Sequence, residues 1–220
     1  MPLDFSFIFL GQSVLRYRAS KKIVDEINLI YENRRARKKM FHMRNNLLGK
    51  IHNEHSLFNA SEKDEAKGYK HNFLSKDILN FFKQTIEHYL EWNRIKDYTS
   101  RINSVWVNEM KAGEYNPIHI HLGDIHTGLS SVMFLKIPKS YGKEWARSDY
   151  PLNGQLDFIS NCTGQFCKIE YAPQNLKEGD FFLFPYDVRH LVYPFRGKAK
   201  RRTLAMNVDI TYNTILSARA

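Results

Sequence analysis

The sequence predicts an α+β, mainly β fold, and two observations carry that reading. Before residue 100, apolar residues recur at helical spacing in two stretches. Beyond it, short runs rich in Val, Ile, Phe and Leu are separated by Gly, Pro, Asn and Asp, the punctuation of an all-β region. Eight such strands in about 110 residues suit a double-stranded β-helix, the cupin-like jelly roll. The expected organisation is a helical extension over residues 1–100, packed outside one sheet of a β-helix core over residues 101–220.

Taken in order, Ile23, Ile27 and Ile30 stand at helical spacing behind Ser20, a suitable N-cap, so a helix is expected within residues 20–40. A second follows Ser75, with Ile78, Phe82, Ile86 and Tyr89 on one side. Between them the charged stretch Ser61 to Gly68 reads as a loop or a short exposed helix. Strands are expected at 103–110, 117–121, 129–136, 155–160, 166–171, 181–184, 190–194 and 202–210. There is no internal repeat and no low-complexity tract.

Composition narrows the function classes. The chain is 43% hydrophobic, yet no apolar run approaches the ~18 residues of a membrane span. The start Met1-Pro2-Leu3-Asp4 lacks the basic region of a signal peptide. A soluble, cytoplasmic protein with no membrane partner is expected. Cys162 and Cys167 cannot form a disulfide framework and are spaced too widely for a CxxC site, so both read as ordinary residues near a strand. The net charge of +10 favours anionic partners, nucleic acid among them. Its densest cluster runs from Arg34 to Lys39 and reads first as a solvated helix end, second as a nucleic-acid patch.

The chemistry concentrates in two stretches. In His119-Ile120-His121-Leu122-Gly123-Asp124-Ile125-His126, alternate residues of an extended strand point the same way, so His119 and His121 can present both imidazoles to one metal. Asp124 follows where a chain leaving the sheet can turn a carboxylate back. Two imidazoles and a carboxylate make a facial triad that leaves positions open on iron. Histidines on strands are often only hydrogen-bonded residues, but three within eight residues beside an aspartate point to metal binding. In the second stretch, Gly179 to Phe195, a turn feeds an apolar strand, Pro185 ends it, and His190 opens the next strand facing back into the barrel. Arg201 and Thr203 then share one strand face, where a guanidinium and a hydroxyl can grip a carboxylate. Arg202 points the other way, and it is expected to tolerate Ala far better than Arg201.

These residues carry a family resemblance. Gly113-x-Tyr-Asn-x-x-His-x-His, the strand ending Phe134-Leu-Lys-Ile-Pro138, Gly179-Asp-x-x-x-Phe-Pro-x-x-x-x-His-x-Val-x-Pro, and Arg201-x-Thr with Asn207 resemble the 2-oxoglutarate/Fe(II) oxygenase superfamily. The likeness is to its small phage and marine-bacterial members, distantly similar to prolyl 4-hydroxylases, and covers roughly residues 103–210. It implies Fe(II) at the barrel mouth and 2-oxoglutarate as cosubstrate. By it His190 is the distal ligand, Arg201 with Thr203 binds the far carboxylate of 2-oxoglutarate, and Asn108 lines the same pocket. No catalytic residue beyond the ligands is implied. The implied reaction hydroxylates a peptide or protein side chain with release of succinate and CO2, in the host cytoplasm if the chain is phage-encoded.

The chain departs from the family at the first ligand pair. The usual motif is His-x-Asp, and no carboxylate stands two residues after His119 or His121. A three-histidine site, a His121/Asp124/His190 site and a two-histidine site completed by water all remain open. Two other functions compete. A metal-dependent cupin enzyme without 2-oxoglutarate would need the histidines but not Arg201 or Thr203, and a non-catalytic jelly-roll protein of a phage would hold no metal.

Overall fold

The computed structural model describes residues 3–9, 11–43, 48–59, 72–144, 148–160 and 170–213. Two antiparallel sheets face each other. The larger has the order β1 (Phe5–Phe9), β2 (Ser13–Arg18), β9 (Asp180–Pro185), β6 (Gly128–Lys136), β11 (Arg201–Tyr212), β4 (Tyr98–Met110), β3 (Asn53–Asn59). The smaller has the order β5 (Asn116–His119), β10 (Arg189–Val192), β7 (Leu156–Ile159), β8 (Glu170–Tyr171).

Period-two alternation along the large sheet sorts its side chains into two cores. One face turns Val105, Val107, Phe181, Leu183, Leu204 and Met206 toward the helices α1 (Lys21–Glu32) and α3 (Lys76–Trp92), meeting Ile27, Tyr31, Phe82 and Ile86. The other turns Met110, Val132, Phe134, Phe182 and Phe184 toward Leu156, Phe158 and Val192 of the small sheet. The chain is therefore layered as helices, large sheet, small sheet, and the site lies between the sheets.

Local chemistry accounts for the helices. The hydroxyls of Ser20 and Ser75 accept from the backbone N–H of Ile23 and Ile78, capping α1 and α3. The single helix expected within 20–40 is interrupted at Asn33. Its carboxamide oxygen accepts from the N–H groups of Arg35 and Ala36 and starts a separate turn, α2 (Arg34–Arg37). The basic cluster thus begins a short exposed turn rather than ending a long helix.

Residues before 100 are not only helical: β1 and β2 extend one edge of the large sheet and β3 the other. Their signal in the sequence is brief, a Phe-Ser-Phe-Ile-Phe run and a Ser-Val-Leu-Arg-Tyr-Arg run. Gly11, with φ of 84°, lies in the turn between them. The expected strands at 103–110, 117–121, 129–136, 155–160, 181–184, 190–194 and 202–210 correspond to β4, β5, β6, β7, β9, β10 and β11, with ends shifted by a few residues. Of 166–171 only β8 falls within the described residues, and Ser61 to Gly68, Cys162 and Cys167 lie outside them. Among the described residues no helix is long and apolar enough to cross a membrane.

Candidate metal centre

Strand pairing brings the histidines together. His119 of β5 stands directly across from His190 of β10. Beyond β5 the chain stays extended because the N–H of His121 donates to the carbonyl of Tyr186 at 2.8 Å, so His121 remains on the same side as His119. The ligand atoms of His119, His121 and His190 all lie within 4.8 Å of one another. The Nε2 atoms of His121 and His190 are 3.2 Å apart.

Backbone carbonyls set two of the tautomers. A carbonyl only accepts, so the Nδ1 of His119, 2.7 Å from the Pro117 oxygen, and the Nδ1 of His190, 3.0 Å from the Val188 oxygen, carry the protons. Each ring then keeps an unprotonated Nε2, the arrangement that carbonyl-anchored metal ligands adopt. Burial holds all three rings neutral: it lowers His119, lowers His121 well below its usual value, and pushes His190 down to about 3.

Asp124 does not join them. Its N–H donates to the Asp209 carboxylate at 3.2 Å, and its own carboxylate, exposed to water, pairs with Arg101 at 3.0 Å. Asp209 also accepts from Tyr186 Oη at 3.1 Å and Asn103 Nδ2 at 2.8 Å, and any side chain at Gly123 would collide with it. This buried clamp fixes the turn after His121 and aims Asp124 outward. His126 is exposed and lies apart from the three-histidine group.

The other expected residues share the pocket with the histidines. Arg201, Thr203 and Asn108 line it, together with Trp106, Asn116, Met110 and Ala205. Arg201 is 1% exposed, and its guanidinium lies 4.9 Å from the Phe134 ring centroid. Its Nη1 lies 3.5 Å from the Thr203 hydroxyl and 3.6 Å from the Met110 sulfur, and the Tyr141 phenol is beside the guanidinium. The Nε and Nη2 of this buried cation have no hydrogen-bond partner, and among the described residues no carboxylate pairs with it. Burial lowers its pKa, and Tyr141 beside it works in the opposite direction. A fully charged group with orphaned donors in a pocket is a receptor for an anion.

Arg202 points to the opposite face, toward the helices, where it is buried and fully paired. It is 4% exposed, its guanidinium meets Glu109 at 2.6 and 3.1 Å, Glu32 and Asn28 at 2.8 and 2.7 Å, and it stacks over Tyr31. It is a structural cation that ties β11 and β4 to α1.

Comparison with known proteins agrees with this geometry. The family model described as "Putative 2OG-Fe(II) oxygenase" matches residues 104–207, the span that holds all three histidines and Arg201. That stretch, a little under half of the chain, is therefore similar to the 2OG-Fe(II) oxygenases. No curated protein matches it. Among solved structures, a prolyl-4-hydroxylase from Pseudomonas putida aligns with TM-score 0.54 and 12% identity over 94% of this chain and 92% of its own. A prolyl hydroxylase from Trichoplax adhaerens, in complex with a hypoxia inducible factor oxygen degradation domain peptide fragment, aligns with TM-score 0.54 and 13% identity over 93% and 83%. HygX from Streptomyces hygroscopicus, with nickel and 2-oxoglutarate bound, aligns with TM-score 0.55 and 9% identity over 90% and 82%. At such identities these likenesses speak for the jelly-roll fold.

Proteins of the matched family are dioxygenases whose cofactors are Fe(II) and 2-oxoglutarate. The residues present fit both. Three neutral imidazoles offer nitrogen donors suited to iron, and the orphaned guanidinium suits a carboxylate. Sequence reasoning missed Tyr141 beside the guanidinium and Trp106 beside His121, which no spacing rule singles out.

Proposed function

We infer that His119, His121 and His190 hold Fe(II) through nitrogen and that Arg201 with Thr203 binds the far carboxylate of 2-oxoglutarate, Asn108 lining the space between. The observation that carries this reading is the coincidence of three neutral, convergent imidazoles with a buried arginine that lacks an acid partner, all in one pocket. A histidine in the usual carboxylate position leaves the bound metal with one more positive charge than a two-His-one-carboxylate site, which strengthens its hold on an anionic cosubstrate.

When bound, the iron and cosubstrate supply the oxidation: 2-oxoglutarate, O2 and a substrate C–H become succinate, CO2 and the hydroxylated product. The chain's own residues orient and shield. The Pro117 and Val188 carbonyls fix two imidazole tautomers, so that the ring nitrogens face inward unprotonated. Arg201 anchors one end of the cosubstrate by charge-assisted hydrogen bonds. Phe134, Val132 and Ile51 line or adjoin the pocket and limit water around it.

The substrate in this reading is a peptide or protein side chain. Support comes from the segment that carries the ligands, which exposes Ile118 at 59%, Ile120 at 47% and Leu122 at 56%, apolar surface of the sort that protein partners cover. Fold similarity to prolyl hydroxylases, one of them in complex with a peptide, points the same way as an analogy. In this reading residues 101–220 carry the oxygenase site, and the preceding residues add the helices together with β1, β2 and β3, which complete the large sheet.

Anaerobic loading with Fe(II), followed by measurement of succinate from 2-oxoglutarate on admitting oxygen, tests the assignment. Uncoupled succinate formation that needs both iron and Arg201 is expected. Iron binding with no consumption of 2-oxoglutarate would favour a cupin enzyme of another kind.

A further inference from the structure

Trp106 is buried in the same pocket with a hydrogen bond unmade. It stands on β4 directly across from Ala205 of β11, is 2% exposed, and its ring centroid lies 6.0 Å from that of His121. An indole nitrogen can only donate, and the Nε1–H of Trp106 has no acceptor. Its buried apolar neighbours, Met43 and Ala205, ask only for a large ring. A phenylalanine would fill that role without burying a polar group. A buried donor left unpaired costs as much as a lost hydrogen bond, so a partner supplied by a ligand is the economical explanation.

Register along the pocket wall says which part of a ligand meets it. Arg201 faces Met110, Thr203 faces Asn108 and Ala205 faces Trp106, successive rungs about 7 Å apart. Arg201 marks one end of that row, and Trp106, beside His121, marks the end at the histidines. A dicarboxylate held by Arg201 therefore extends its other, oxygen-bearing end toward Trp106. That end carries only acceptors, which complements a group that only donates.

We propose that Trp106 donates its indole N–H to an oxygen of the keto-acid end of 2-oxoglutarate and orients the cosubstrate at the three-histidine centre. The assignment rests on the cosubstrate reading above and adds to it a residue that selects an acceptor at the metal end. It predicts preference for ligands with oxygen at both ends: pentanoate, which keeps a carboxylate for Arg201 and ends in a methyl group, should lose the contribution of Trp106 entirely.

The test uses the full chain loaded with Zn(II), a diamagnetic stand-in that imidazole sites accept. Calorimetry measures 2-oxoglutarate binding, and indole N–H resonances are followed in the same titration. The chain has three tryptophans, and Trp92→Phe and Trp145→Phe variants identify the other two indole signals and so assign that of Trp106. The expected result is a downfield move of the Trp106 indole proton on binding, with affinity about tenfold weaker in Trp106→Phe at unchanged zinc content and melting temperature. Where the Phe variant fails to fold, the parent's resonance alone decides. An unmoved indole signal while 2-oxoglutarate binds overturns the role of Trp106 and leaves the cosubstrate reading standing. Absence of any binding heat in the parent refutes the cosubstrate reading itself, and this proposal with it.

Discussion

Arg201 and Arg202 are neighbours on one strand, both buried, yet they live in opposite electrostatic circumstances. Arg202 faces the helices and is saturated by Glu109, Glu32 and Asn28. Arg201 faces the pocket with two of its nitrogens unpartnered. Fold stability accounts for the first, because a paired buried cation ties three elements together. It cannot account for the second, because an unpaired buried charge opposes folding. The difference teaches that a residue kept at a structural loss marks where a ligand belongs, while an equally buried neighbour with full pairing marks the scaffold.

The largest effect separating the two faces is on stability. Arg202→Ala leaves Glu109 buried with only Lys200 for company and should destabilise the fold by about 3–5 kcal/mol, read as the shift of a denaturation midpoint. Arg201→Ala should do the reverse of what its burial suggests: metal-free stability is expected to hold or rise. A large loss of stability in Arg201→Ala would erase the contrast.

Cosubstrate affinity comes next. Arg201→Ala should weaken 2-oxoglutarate binding at least tenfold, or about 1.4 kcal/mol, while sparing the metal. Calorimetry at equal metal occupancy checks it, and binding as tight as in the parent would break the assignment.

Acid should divide the two faces by pH window. The pocket histidines have folded pKa values below the unfolded value near 6.5, His190 at about 3 through burial and the His119 charge, so the unfolded state takes up protons first. Their contribution is full above about pH 6.5 and is lost as pH falls through the folded values. Glu109 behaves otherwise. Burial alone would raise it, but Lys200 and Arg202 outweigh that and hold it below 4.5, so the Arg202 network weakens only below that pH. Metal-free denaturation midpoints should therefore begin to fall below about pH 6.5 in the parent. The early part of that decline should shrink in His190→Gln.

The smallest effect belongs to cations in water. Arg34, Arg35, Lys38 and Lys39 are exposed around α2, and replacing all four with Gln should change stability by no more than about 0.5 kcal/mol each way per site. Filter binding at low salt checks the nucleic-acid reading of the same cluster, for which a steep decline with salt is the signature.

How much of this was legible beforehand follows from the range of the interactions involved. His119 and His121 share a side because strand geometry is local, and Ser20 and Ser75 cap helices for the same reason. The strand pattern singled out His190 and Arg201, but their roles as distal ligand and cosubstrate anchor came through resemblance. The outward turn of Asp124 was not legible, because Arg101 and Asp209 decide it from 23 and 85 residues away. Nor was the pairing of Arg202, whose partners Asn28 and Glu32 sit on a helix 174 and 170 residues distant. The N-terminal strands were overlooked because runs of five or six residues at a sheet edge carry little periodic signal next to two long amphipathic helices.

Iron content per chain, measured after anaerobic loading of His119→Ala, His121→Ala, His190→Ala and Asp124→Ala, tests the three-histidine centre most directly. The account predicts that each histidine variant loses stoichiometric iron while Asp124→Ala retains it. Iron retained by His190→Ala, or lost from Asp124→Ala while His119→Ala keeps it, would contradict it.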